Sequence, residues 1–196
     1  RDRSPSRGLG DVYKRQEQYM FDNFFNFVKL PVGKEITSVV TFLSSVSGLS
    51  FFDGLFRFFN EEQKNKWEKI VTEYYIDYLG KIEVVCYDWL GRVFALSDDT
   101  NTVIFFEPGT GKVYDTDAGI EKFFDYVVIE YTNDCFALDF FKEWFESTEG
   151  YQLLNSECAS YKIPLFLNGA DSVENLEVCD MEVHWEIMRV THNLND

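Results

Sequence analysis

The chain holds two histidines, His184 and His192, and four cysteines, Cys86, Cys135, Cys158 and Cys179. A zinc pair on one helix face needs ligands at i and i+4, and these histidines stand eight apart, so they read as surface or structural residues. The cysteines are scattered without a C-x-x-C pair, which reads as free thiols in a cytosolic protein rather than a disulfide framework or a metal site. Cys86 and Cys179 are the conceivable nucleophiles, yet neither has a nearby basic run or histidine to lower its pKa. Gly109-Thr110-Gly111 lacks the Gly-Lys-Ser/Thr ending of a phosphate loop and falls between two strands, where a hairpin turn belongs. No serine lies in a G-x-S-x-G elbow. Carboxylates are so frequent that a pair such as Glu174 and Glu177 carries little information. These residues give no catalytic constellation, no metal site and no cofactor, and they point to a protein that works by binding.

The elements that would position any site centre on residues 83–116. Val84 to Tyr87 and Val93 to Leu96 are rich in β-branched and aromatic residues, and Asp88-Trp89-Leu90-Gly91 between them has turn chemistry. Val103 to Phe106 is apolar on both faces and reads as a central strand, and Pro108 to Gly111 turns the chain into Lys112 to Tyr114. With Gly54 to Phe59 added, the spacing predicts strands over 54–59, 82–88, 92–97, 103–107 and 112–116. Trp89, placed in the turn, is expected to be half exposed.

Helical spacing surrounds this meander. Phe21, Phe24, Phe25 and Val28 form one stripe that Pro31 stops, and a weaker helix fits 34–46. Asn60 and Gln63 make a capping box for a helix carrying Trp67, Ile70, Val71, Tyr74 and Tyr78, ended by Gly80. Ile120, Phe123, Phe124, Val127, Val128 and Tyr131 keep helical spacing, and Asn133 can cap a helix with Ala137, Phe140, Phe141, Trp144 and Phe145. Asp180 caps a last helix, with Val183, Ile187, Val190 and Leu194 expected inward. The fold class is therefore α+β, an antiparallel β-meander with helices packed mainly on one side.

The 196 residues carry a net charge of −16 and are 45% hydrophobic and 18% aromatic, enough for a sizeable core. Residues 1–16 are basic, non-periodic and similar to a translated sequencing-adapter leader, so they are set aside as non-native or disordered, with Met20 the expected start. The division is then a leader at 1–16, an N-terminal helical segment at 17–47 and an α+β domain at 48–196. An acidic body repels nucleic acid and anionic membrane and attracts a basic partner. No apolar run approaches the roughly 20 residues of a membrane helix.

Four strings narrow the class: F-F-D-G-L-F-R-F-F (51–59), Y-D-W-L-G-R-V-F-A-L (87–96), F-E-P-G-T-G-K-V (106–113) and the long Y-K-I-P-L-F-L-N-G-A-D-S-V-E-N-L-E-V-C-D-M-E-V-H-W-E-I (161–187). In this order they resemble the C-terminal domain of type VI secretion immunity proteins, a domain widespread in proteins of unknown function. The resemblance covers about residues 48–194. It implies a non-enzymatic, cytoplasmic antitoxin that neutralises a cognate protein toxin, a nuclease whose DNA-binding face is basic. Such proteins often carry a longer N-terminal domain of the GAD-like type, of which 17–47 would be a remnant. The competing reading is a ligand-binding module or an enzyme with an unrecognised site. For the toxin, the candidate contacts are Asp98 and Asp99 in the turn 97–101, with Asp115 and Asp117 beyond the last strand.

Overall fold

The computed structural model describes residues 20–31 and 36–193; the leader at 1–16 and Leu194 lie outside them. Six strands pair antiparallel in chain order: β1 Ser50–Phe51, β2 Phe56–Phe58, β3 Ile82–Asp88, β4 Val93–Ser97, β5 Val103–Glu107 and β6 Lys112–Asp115. The expected α+β meander is therefore present, with its strand boundaries within about two residues of those read from periodicity, the ordinary scatter of such boundaries.

Alternation sends successive side chains to opposite faces, so a sheet apolar on both faces must be covered twice. In β4, Val93 and Ala95 face one core while Phe94 faces the other; in β5, Ile104 and Phe106 oppose Val103 in the same way. β3 departs from alternation. Its register against β4 shifts between Val84 and Cys86, which leaves Val85 as an extra residue. The bulge puts Val84 and Tyr87 on one face and Val85 and Cys86 on the other.

One face is covered by α1 Asp22–Phe27, α2 Val39–Val46, α4 Ile120–Lys122, a π-helical turn Phe123–Val127, α5 Val128–Glu130, α6 Thr132–Phe136 and α7 Leu138–Ser147. Its centre is a knot of phenylalanines: Phe21 stacks on Phe42 at 3.8 Å, and Phe24 meets Phe42 and Phe124 edge-on. α1 and α2, from the stretch read as an N-terminal segment, thus share the core of the strands. The other face is covered by α3 Glu61–Tyr74 and α8 Met181–Asn193 through Trp67, Val71, Met181 and Trp185. The shorter helices lie on one side and the two longest, α3 and α8, on the other, because Ile104 and Phe106 need cover there; both faces of the sheet are covered by helices. The Asn60–Gln63 capping box is formed at the start of α3.

Several features differ from the sequence reading. A second sheet, β7 Glu157–Tyr161 with β8 Leu176–Asp180, was not anticipated. Trp89 is fully buried rather than half exposed, because its turn points into the molecule and its indole N–H finds the Phe136 carbonyl at 2.9 Å. In α8 the buried face is Met181, His184, Trp185 and Met188, whereas Val183, Ile187 and Val190 are about half exposed. The stripe on one side of this helix mimics the other. The side that carries larger surface went inward. Asp180 does cap it, accepting from the N–H groups of Glu182 and Val183 at 3.0 and 3.1 Å. Asn133 is not the N-cap expected: it lies inside α6, Ala137 at φ +50° holds the N-cap position of α7, and the Asn133 side chain only reaches forward to accept from the Asp139 N–H at 2.9 Å.

The turn Asp88 to Arg92 ties these layers together. Asp88 Oδ1 accepts from the N–H groups of Leu90 and Arg92, and Gly91 takes φ +77°, a conformation that costs a residue with a Cβ. The Trp89 N–H donates to Leu55, the Trp89 carbonyl accepts from Ala159, and the Gly91 carbonyl accepts from the Trp185 indole. One turn therefore holds the β1–β2 connection, the second sheet and α8.

Candidate functional site

In a chain-order meander, the β4–β5 connection and the end of β6 fall at the same rim of the sheet. The structure places all four candidate aspartates there. Asp98 and Asp99 sit exposed in the β4–β5 turn, which Asn101 closes at φ +54° with its N–H on the Ser97 carbonyl. Asp115 ends β6, and Asp117 follows at φ +53° with its N–H on Asp115 Oδ1 at 2.9 Å. Thr102 Oγ1 donates to Asp115 Oδ2 at 3.0 Å and so links the two groups across the β5–β6 pair.

The rim's positive counterweight is Lys81, whose carbonyl accepts from the Asp98 N–H and whose Nζ lies 3.7 Å from Asp99. Both side chains of that pair are exposed, so it holds little energy and leaves the field negative. The acidic surface runs on to α3, where burial, with Glu83 and Asp98 nearby, holds the Glu68 carboxyl above the ordinary carboxylate range. Lys64 of α3 is drawn down between Glu61 at 3.2 Å and Glu83 at 3.1 Å. Lys81 and Glu68 were not anticipated; only the strand pairing puts them beside the turn.

A second cluster is buried. His184 Nδ1 and Ser160 Oγ lie 2.7 Å apart, and burial lowers the imidazole pKa to about 4. The space beside them, between Leu90, Arg92, Glu107, Pro108, Gly109 and Tyr161, amounts to about 10 Å³, room for one water-sized group and not for a substrate. This His184–Ser160 contact is a hydrogen bond of the packing between α8 and β7. The four cysteines are free, as expected, and Cys86 and Cys158 are pushed well above the ordinary thiol range by complete burial. Such thiols are poor nucleophiles.

Wider grooves open to solvent elsewhere among the described residues. One of about 430 Å³ is lined by Asn23, Phe27, Asp125 and Tyr126 among others, and one of about 460 Å³ by Ser50, Asp53, Gln152 and Leu154. Neither gathers a nucleophile with a base. Among the described residues, no group of three or more His, Cys, Asp or Glu could hold a metal ion. No helix among them is long and apolar enough to cross a membrane.

Comparison with known proteins adds the fold alone. No protein-family model and no curated protein sequence matches the chain. Among solved structures, the crystal structure of Atu4351 from Agrobacterium tumefaciens superimposes with a TM-score of 0.62 at 17% identity, over 87% of this chain and 88% of that one. At that identity, what the two chains share is their α+β architecture.

Proposed function

We propose that this chain is an immunity protein: a non-catalytic, cytoplasmic binding protein that neutralises a cognate toxin, a basic nuclease domain delivered by a bacterial secretion system. The observation that carries the reading is the gathering of Asp98, Asp99, Asp115 and Asp117 on one exposed rim of the sheet, in a chain with a net charge of −16. A nuclease face that binds phosphates is basic and is drawn to such a rim. The resemblance of the four sequence strings to the immunity family supports the same reading. Charged rims set on-rate and salt dependence, while affinity comes from a few anchors nearer the centre of an interface.

The test is co-expression of a nuclease toxin encoded beside this gene with wild type and with Asp98→Lys/Asp99→Lys. The wild type should protect the cells, and the reversal should slow association and flatten its salt dependence between about 50 mM and about 500 mM. Equal protection by both proteins, with binding indifferent to salt, would exclude the acidic rim as the contact. A wild type that binds no such toxin would end the immunity reading.

A further inference from the structure

β6 is the last strand of the sheet, and among the described residues no strand pairs with its outer side. The Thr116 N–H donates inward to Val103, and alternation from there turns the N–H and C=O groups of Val113 and Asp115 away from β5. Lys112, Tyr114 and Asp115 are exposed along this edge. The opposite edge, β1, is only two residues long and its Phe51 is buried. The sheet therefore has one edge open to another strand, and that edge ends on the acidic rim.

The edge is also the open end of an aromatic row. Phe94, Phe105 and Tyr114 stack across β4, β5 and β6, with ring centres 5.2 Å apart at 28° and then 4.9 Å apart at 20°. Tyr114 is 38% exposed, so the row stops at solvent. Inside the molecule the row already carries a cation: the Arg92 guanidinium lies 5.5 Å from the centre of the Phe105 ring. A strand added beside β6 would set its own side chain against Tyr114, at the spacing of the existing pairs.

We infer that β6 is the docking edge for an extended, basic segment of a protein partner, which adds to the sheet as a further strand. This rests on the interaction reading above and specifies how the partner docks. Charge selects the occupant. A second copy of this chain would bring its own Asp115 and Asp117 and a further net charge of −16, and that repulsion disfavours self-pairing. A segment with Lys or Arg at alternate positions would instead meet Asp115 on one face, while the residues between them would pack against Tyr114 on the other. Its backbone would satisfy Val113 and Asp115, the mode of recognition in which main-chain bonds hold and alternate side chains select.

The probe is a synthetic peptide of about eight residues, an ordinary strand length, alternating lysine with valine and threonine. It is titrated into the ¹⁵N-labelled full chain. Binding should shift the Val113 and Asp115 amides and slow their hydrogen exchange, and Tyr114→Ala should weaken it several-fold while leaving the circular dichroism unchanged. Asp115→Lys should reverse the preference towards a glutamate version of the peptide. A version N-methylated at alternate backbone amides keeps the charge and loses the donors; it should bind at least tenfold more weakly. If it binds equally well, strand addition is wrong while electrostatic capture by the rim stands. If no basic peptide binds at millimolar concentration, or if shifts occur at residues 98–101 without 113 and 115, the docking edge is wrong. Protection of Val113 and Asp115 without peptide, with a mass that doubles on concentration, would instead assign the edge to a second copy.

Discussion

Asp88 Oδ2 accepts from Arg92 Nε at 2.7 Å and forms an ion pair with Arg92 Nη2 at 2.6 Å, and both residues are buried within the turn that joins β3 to β4. The guanidinium also donates to the Cys135 carbonyl at 3.0 Å, so the pair fixes α6 to the turn. Its polar atoms are shared between the two residues and the backbone, which is the condition under which a buried pair is tolerated.

Removing one partner leaves the other charged and dry. Arg92→Met is expected to cost about 3–5 kcal/mol, and Asp88→Asn/Arg92→Met should recover part of that loss. Urea unfolding of the two variants measures it. A loss below about 1 kcal/mol from Arg92→Met would show that the Asp88 carboxylate reaches water.

Gly91 lies in the same turn, and a Cβ there would come within 3.0 Å of His184 Cδ2 and 3.1 Å of Cys158 Sγ, both on buried residues. Gly91→Ala combines a left-handed backbone with this crowding. It should destabilise by more than the roughly 1–2 kcal/mol of the conformation alone. Thermal melting that matched wild type would mean that α8 shifts freely against the turn.

In α8 the two stripes separate by substitution. Met188→Ala, at a position with no exposure, should cost about 2–5 kcal/mol, and Trp185→Ala about 3–5 kcal/mol. Ile187→Ala, at 49% exposure, should cost well under ~1 kcal/mol. Losing the cap in Asp180→Ala should fall between, at about 0.5–2 kcal/mol. The reverse order for Met188 and Ile187 would show the helix docked by its other face.

His184 gives the protein an acid limb. Its folded pKa of about 4 lies below the ordinary 6.5, so the unfolded chain takes up the proton first. The stability held by neutral His184 is complete above about pH 6.5, falls as the pH drops, and is spent near pH 4, a loss on the order of 3 kcal/mol. Unfolding free energies from pH 7 to 4 should therefore fall more steeply in wild type than in His184→Gln. Parallel profiles would mean that the imidazole protonates in place.

Much of the sheet was legible because alternation, turn residues and β-branched runs are local signals, and 82–88 and 103–107 came out with those bounds. The four rim aspartates were legible as exposed turn residues, but their meeting at one rim needed the strand order. α8 shows the limit of periodicity. Val183, Ile187 and Val190 recur at helical spacing, and so do Met181, His184, Trp185 and Met188; the pattern gives an amphipathic helix without saying which stripe has a partner. β7 and β8 were missed because Cys158-Ala159-Ser160 is small and weakly apolar, and its strand character comes from packing against the Asp88 turn.

The sheet divides the tryptophans two and two. Trp89 and Trp144 lie 5.5 Å apart in the core under α7, and Trp67 and Trp185 lie 6.2 Å apart between α3 and α8. The molecule thus carries a separate fluorophore pair in each half of its interior. With one pair replaced by phenylalanine, the emission of the other reports the wetting of its own layer. Two such spectra recorded through a melt show whether the layers open together, as a shared sheet and a shared Asp88–Arg92 turn require.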